Sequence, residues 1–191
     1  MLNAKSVQEI IDSLEKFNLD NVKEITDEDY PIFTNYLNKA SLDIFVKFIE
    51  LSLKASKDNI NKFDNLFEEI EKITHIYSNR VFLFGYRFGI KDLNNNPDFS
   101  DEFIKNLAGE KLYNHIKNTN KLISSYIYLE FIYTSCQVIR KEKKGLTRED
   151  FVREIEKIMG NYMAQIFMAG YMTGEIKENI KSKNEGLGTS I

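Results

Sequence analysis

The chain has 191 residues, of which 42% are hydrophobic and 29% charged, with a formal net charge of −3. Such values are typical of a globular protein with one core, and the balanced charge argues against a general nucleic-acid binder. A single cysteine excludes an intramolecular disulfide. The first twenty residues lack the apolar region of a signal peptide, and no apolar run is long enough to span a membrane. We therefore expect a cytoplasmic protein.

The helices predicted for the first half follow from apolar residues spaced three and four apart. We expect them over residues 7–17, 26–38, 42–55 and 63–88. Ser6, Thr26 and Ser41 are the expected N-terminal caps of the first three helices. The fourth helix is the longest, and the segment Asn94–Pro97 should end it and link the two halves of the chain.

The second half is expected to follow the same plan. Short helices are predicted over 100–107 and 111–118, and longer ones over 122–143 and 147–180. Ser100 and Thr147 are their clearest caps, and Asp150 completes a capping box with Thr147. The predicted organisation is a first helical repeat over 1–97, a second over 98–180, and a disordered tail over 181–191.

An internal duplication is the most informative feature of the sequence. Ten residues between Glu69 and Gly89 are identical to the residues 85 positions later, without a gap. A second alignment, offset by 83, pairs residues 44–49 with residues 127–132. Repetition of this kind indicates two copies of one supersecondary unit. We therefore predict an all-α protein in which two helical-hairpin repeats pack with pseudo-twofold symmetry into one helical bundle.

Each copy ends in the motif Phe-x-x-Gly-Tyr-x-x-Gly, at residues 82–89 and 167–174. A glycine inside a helix disfavours it by about 1 kcal/mol relative to alanine, so an offsetting interaction is expected. Glycines on one stripe allow two helices to cross closely. The residues of that predicted crossing are Gly85, Gly89, Gly170 and Gly174. A binding interpretation stays open, in which the glycines form a slot lined by Phe82, Tyr86, Arg87, Phe167 and Tyr171.

The motif resembles the end of a small family of helical proteins from Gram-positive bacteria and their mobile elements. In that family a single hairpin finishes in F-x-x-G-F-x-x-G. The resemblance covers mainly the last third of each repeat, and this chain differs by its two copies and by Tyr86 and Tyr171 after the glycine. It implies a helical hairpin and a mobile-element context, with no activity to carry over.

Residues that could bind a metal or catalyse a reaction occur without a recognised spacing. His75 and His115 lack the glutamate three residues earlier that a di-iron helical bundle requires, so no metal or cofactor is predicted. Cys136 lies in the apolar register of its helix and is interpreted as a buried thiol, although a cysteine–histidine pair stays open. The basic cluster 140–144 is expected to stabilise a helix C-terminus, with an acidic or phosphate partner as the alternative.

The functional hypothesis is a non-enzymatic binding protein, a phage or mobile-element accessory factor that acts by protein–protein contact. Inhibition of a host defence or regulatory complex is the role that fits this context. The main alternative is a small-molecule sensor with an aromatic pocket between the repeats, and a weaker one is an enzyme assembled from distant residues. A homodimer is a further option, and nucleic acid is not expected as a direct ligand. An exposed apolar patch would favour a protein partner, and a closed aromatic cavity would favour the sensor.

Overall fold

A computed structural model describes residues 2–58, 64–93, 100–139 and 147–187, and all regular structure within them is helical. The helices are α1 (Ala4–Ser13), α2 (Leu19–Thr26), α3 (Tyr30–Asp58), α4 (Asp64–Gly89), α5 (Asp101–Ala108), α6 (Glu110–Ile139) and α7 (Arg148–Leu187). The prediction of an all-α helical bundle is confirmed for this part of the chain. None of these helices has the length and apolar character needed to cross a lipid bilayer.

The two helices α4 and α7 cross at the centre of the bundle. The helices α3 and α6 each pack against both of them, and α1, α2 and α5 cover the remaining surfaces of the core. Fully buried side chains come from both halves of the sequence, so one core serves the whole bundle. Among the largest of them are Phe33, Phe82, Phe167, Ile44, Leu66, Ile70, Leu112 and Ile127.

Two predicted helix breaks are wrong, because α3 continues through Ser41 and α6 continues through the predicted gap at 119–121. The hydroxyl of the buried Ser41 donates to the carbonyl oxygen of Leu37 at 3.0 Å, within the same helix. Ser124 donates in the same way to the carbonyl oxygen of Asn120 at 2.8 Å. A serine that bonds back to its own helix continues that helix instead of capping a new one.

The predicted start of the chain's helical structure also needs correction. The side chain of Asn3 accepts a hydrogen bond from the backbone N–H of Ser6 at 2.8 Å, so Asn3 is the cap and α1 begins before Val7. The helix α2 was not predicted; Thr26 ends it, and its buried hydroxyl donates to the carbonyl oxygen of Val22 at 2.8 Å. Thr26 therefore does not cap a new helix with its side chain.

Two predicted helix starts in the second half, those capped by Ser100 and Thr147, are confirmed. Ser100 accepts from the backbone N–H of Phe103 at 3.3 Å, and Thr147 accepts from the N–H of Asp150 at 3.2 Å. At its other end α7 continues to Leu187, into the segment expected to be a disordered tail. Residues 181–185 contain neither glycine nor proline, so nothing in them stops the helix. Residues 188–191 lie outside the described part of the chain.

Candidate functional site

The four motif glycines lie where α4 and α7 cross. A Cβ atom on Gly85 would come within 2.9 Å of the carbonyl carbon of Phe167, and a Cβ atom on Gly170 would lie 2.9 Å from that of Phe82. The two helices approach as closely one turn further on, where a Cβ atom on Gly174 would lie 2.9 Å from the Cα atom of Gly89. The space beside each glycine is therefore filled by the backbone of the opposite helix.

The two phenylalanines expected to line a slot lie in the core. Phe82 and Phe167 are both fully buried. The ring of Phe167 has four aromatic neighbours, with centroid distances between 5.7 and 6.4 Å. These neighbours are Phe33, Phe84, Phe88 and Tyr171. Neither Phe82 nor Phe167 has exposed surface to present to a ligand.

The other three residues of the expected slot are half-buried at the edge of the crossing. The hydroxyl of Tyr171 donates to the carboxylate of Glu175 at 2.8 Å, and burial followed by this bond raises the pKa of Tyr171. The Tyr86 ring has the Nζ of Lys177 at 5.6 Å from its centroid, and burial raises the pKa of Tyr86 as well. Arg87 donates through Nε to a backbone carbonyl oxygen at 3.4 Å. All three side chains are engaged by neighbouring protein groups.

A buried polar network connects the three helices α4, α6 and α7. The hydroxyl oxygens of Ser78 and Tyr162 lie 2.9 Å apart, and the Tyr162 hydroxyl donates to Asn120 at 3.3 Å. Asn120 in turn donates to the carbonyl oxygen of Glu71 at 3.2 Å. Burial raises the pKa of Tyr162, so its hydroxyl keeps its proton and acts as a donor. No local sequence pattern indicates this network, because its members are distant in sequence.

An open polar cleft of about 260 Å³ lies beside this network, between α4, α5 and α6. Its lining residues are Glu68, Glu71, Lys72, His75, Asp101, Lys117 and Asn120. The Nε2 atom of His75 lies 2.7 Å from Asp101, and Asn79 donates to the same carboxylate oxygen at 2.7 Å. Tyr113 also bonds to Asp101, and burial together with this bond raises the pKa of Tyr113 to about 12. The carboxylate of Asp101 thus ties the start of α5 to α4 and α6.

The buried polar side chains of the described residues are satisfied by hydrogen bonds. Among those residues, no buried polar side-chain atom lacks a hydrogen-bond partner. The same part of the chain holds no group of three His, Cys, Asp or Glu side chains placed to bind a metal ion. The side chain of Cys136 and the basic cluster 140–144 lie outside the described residues, so their interpretations stay predictions.

We expect the Asp101→Asn variant to be less stable than the wild type at neutral pH. Its free energy of unfolding should also change less with pH in acidic solution. Desolvation raises the pKa of Asp101, but the hydrogen bonds from His75 and Asn79 outweigh it and hold the pKa below its ordinary value. A carboxylate whose pKa is lower in the folded protein stabilises the fold above its unfolded pKa. That contribution is lost as the pH falls through the folded pKa. The expected effect is within about 1 kcal/mol, because solvent screens a carboxylate that is more than half exposed.

Urea denaturation between about pH 7 and pH 3 measures this effect, since Asp titrates in the lower part of that range. The matched control is Glu102→Gln, which removes the neighbouring exposed carboxylate of α5 and should keep the wild-type slope of stability against pH. An Asp101→Asn protein with the wild-type slope would contradict the role given to this carboxylate.

The helix α6 carries apolar side chains on two faces. On the inner face, Ile127 and Phe131 are buried in the core. On the opposite face a line of four large side chains is 52%, 52%, 58% and 60% exposed. These four residues, here named the outer stripe, are Leu122, Tyr126, Leu129 and Tyr133. Their spacing of four, three and four residues places them on one side of the helix.

The first half of the chain differs at the positions of the outer stripe, although α3 exposes a shorter apolar line of Val46, Ile49 and Leu53. The alignment offset by 83 places Lys39, Asp43, Val46 and Glu50 of α3 at the corresponding positions. Three of these four residues are charged, whereas the outer stripe has no charged member. By contrast, the core positions agree, since Ile44 and Ile127 are both fully buried. The uncharged line of four large side chains is therefore particular to α6, and packing of the bundle does not require it.

Comparison of the chain with protein-family models, with curated proteins and with solved structures finds no match. The resemblance of the glycine motif therefore stays a prediction, and the functional argument depends on the geometry of this chain. The spacing of the outer stripe is visible in the sequence, but the sequence does not say that this face of α6 is the exposed one. The pairing of His75 with Asp101 joins two helices and has no sequence signal.

Proposed function

We propose that the protein is a non-enzymatic binding protein that acts by protein–protein contact through the outer stripe. The observation that carries this proposal is a line of four large apolar side chains, each more than half exposed, on a helix whose other face is in the core. Single exposed apolar residues are common, but a contiguous set is typical of interaction sites. Two of the four are tyrosines, a residue type enriched at the centres of interfaces.

We further propose that residues 1–97 and 98–180 are two copies of one helical hairpin related by a pseudo-twofold axis. The reciprocal contacts of the crossing support this, since Gly85 approaches Phe167 and Gly170 approaches Phe82. The buried serines of α3 and α6 also support it, because they are 83 residues apart and bond alike to the preceding turn. In this proposal the duplicated packing was kept, while the outer face of α6 changed for binding.

The biological context we propose is that of a cytoplasmic phage or mobile-element accessory factor that inhibits a host defence or regulatory complex. Its support is the resemblance of the glycine motif. A small-molecule sensor has less support, because Phe82 and Phe167 are fully buried and backbone fills the space beside the glycines. No arrangement in the described residues favours an enzyme over a binding protein.

Capture from a lysate of the organism that encodes the protein tests the proposal. We expect the tagged wild-type protein to retain a stoichiometric protein partner, identified by mass spectrometry, and the Leu129→Glu variant to retain at least about tenfold less. The reason is that binding would bury an unpaired charge at the middle of the outer stripe. The lysate contains the untagged chain, so a captured second copy of this chain counts as a protein partner in this experiment.

The matched control is Val46→Glu, which introduces the same charge at the corresponding position of α3. Val46 is 52% exposed and Leu129 is 58% exposed, so both variants should fold, as circular dichroism will verify. The control should retain the partner. Equal capture by the Leu129→Glu protein, or no captured protein at all, would contradict the proposal.

A further inference from the structure

We infer that the outer stripe binds a second copy of this chain, with two α6 helices packed antiparallel about a twofold axis between Tyr126 and Leu129. The inference rests on the proposed function, because it names the partner of the same surface. It starts from the spacing of the four side chains and from their order along the helix.

The spacing indicates that the partner presents a helix. Leu122, Tyr126, Leu129 and Tyr133 follow one another at intervals of four, three and four residues. This is the alternation of apolar positions by which two helices pack side by side, each side chain fitting between side chains of the other helix. The four residues extend over about 16 Å of helix, so the contact is four layers long.

The order of the residues makes the outer stripe complementary to itself. In an antiparallel pair, Leu122 of one copy lies level with Tyr133 of the other, and Tyr126 lies level with Leu129. Every layer then combines one tyrosine with one leucine, and large side chains alternate with smaller ones across the contact. A parallel pair would place tyrosine against tyrosine and leucine against leucine. The antiparallel arrangement therefore fills the space between the two helices more evenly.

The charges of α6 permit this self-association. Residues 122–133 contain one charged residue, Glu130, whose carboxylate accepts a hydrogen bond from the hydroxyl of Thr134 at 3.0 Å. Two copies therefore bring few like charges together, and a partner selected by its charge would find little to bind. On α3 the corresponding antiparallel pair would set Lys39 level with Glu50 and Asp43 level with Val46, so charged side chains would have to leave water. The charge pattern thus favours self-pairing through α6 over the corresponding face of α3.

A contact of four layers is small for a protein interface. Stable interfaces bury about 1,200–2,000 Å² in total, whereas weak and transient contacts bury less, and one helix pair of four layers belongs with the weak contacts. We therefore expect a dimer with a dissociation constant in the micromolar range, populated at high protein concentration and lost on dilution.

Sedimentation velocity of the purified chain between about 1 and about 100 µM tests the inference, since this range brackets a micromolar dissociation constant. We expect the mean mass to rise with concentration from that of the monomer toward twice that value. The Leu129→Glu variant should stay monomeric throughout, and Val46→Glu should behave as the wild-type chain does. A wild-type chain that stays monomeric at the highest concentration would overturn the inference.

Disulfide formation between introduced cysteines tests the orientation. In a Cys136→Ser background, Leu122→Cys and Tyr133→Cys proteins are oxidised separately and as a mixture. An antiparallel pair should give a mixed disulfide dimer and little disulfide in either separate sample. Disulfide dimers in each separate sample, without preference for the mixture, would overturn the antiparallel arrangement.

The two sets of experiments separate the inference from the proposed function. If the wild-type chain is monomeric but captures another protein in a manner that Leu129→Glu abolishes, the second copy is excluded and the outer stripe still binds a protein. If the chain is monomeric and capture does not depend on Leu129, both are wrong.

Discussion

The Gly170→Ala substitution is expected to reduce the free energy of unfolding by about 3 kcal/mol or more, although alanine alone favours a helix by about 1 kcal/mol. The added methyl group would lie 2.9 Å from the carbonyl carbon of Phe82 and 2.9 Å from the backbone nitrogen of Tyr86. These are backbone atoms of α4, so they cannot rotate away as a side chain would. The two central helices would have to separate, and the side chains around the crossing would lose contact. Urea denaturation followed by circular dichroism measures the change.

The same helix supplies a matched control at Gly160. A Cβ atom there would meet the side chain of Leu19, with the nearest atom, Cδ1, at 3.2 Å, and that side chain can shift. Gly160→Ala should therefore leave stability unchanged or raise it by up to about 1 kcal/mol. Gly85→Ala should behave like Gly170→Ala, because its Cβ would meet the backbone of Phe167 and Tyr171. A Gly170→Ala protein as stable as the wild type would show that the helices do not cross this closely.

The second large effect is expected from Phe167→Ala, which should reduce the free energy of unfolding by about 3–5 kcal/mol. The side chain is fully buried and packs against four other aromatic rings. Removing it leaves a cavity where α3, α4 and α7 meet, and rigid rings close such a cavity poorly. In a chain of this size the melting temperature should fall by roughly 10 °C. Calorimetry or thermal circular dichroism measures it.

A Phe167→Leu variant distinguishes packing from ligand binding at this position. Leucine keeps most of the apolar volume, so the loss should shrink to about 1–2 kcal/mol if the role of Phe167 is packing. If Phe167 instead lined an open slot, both substitutions would leave stability close to that of the wild type. Stability that is unchanged in Phe167→Ala would therefore reopen the sensor hypothesis.

The helix ends show where local sequence suffices and where it does not. Caps such as Ser100 and Thr147 were predicted correctly, because the donor and the acceptor of a cap lie within three residues of each other. Ser41 was interpreted as a cap and is instead a buried helix residue. A serine hydroxyl can bond forward to a cap or back to its own helix, and burial among distant residues decides between them.

Local sequence is also insufficient to locate the outer stripe and the contact between His75 and Asp101. The helix α6 is apolar on both of its faces, so its sequence alone does not say which face meets the core and which meets solvent. The structure resolves this by burying Ile127 and exposing Leu129. The contact of His75 with Asp101 depends on how α5 docks, which no local pattern encodes. The glycine motif was different, because its repetition at a fixed offset pointed to both partners of one crossing.

The distance of 85 residues between the two glycine motifs has a consequence during synthesis on the ribosome. At about 5–20 residues per second, the motif of α7 leaves the ribosome roughly 4–17 s after that of α4. Throughout this interval α4 carries two glycines that weaken it by about 2 kcal/mol, without the backbone contact that offsets them. The nascent chain therefore presents Phe82, Leu83 and Phe84 to chaperones for seconds, and translation of the second half sets when the first half can complete its fold.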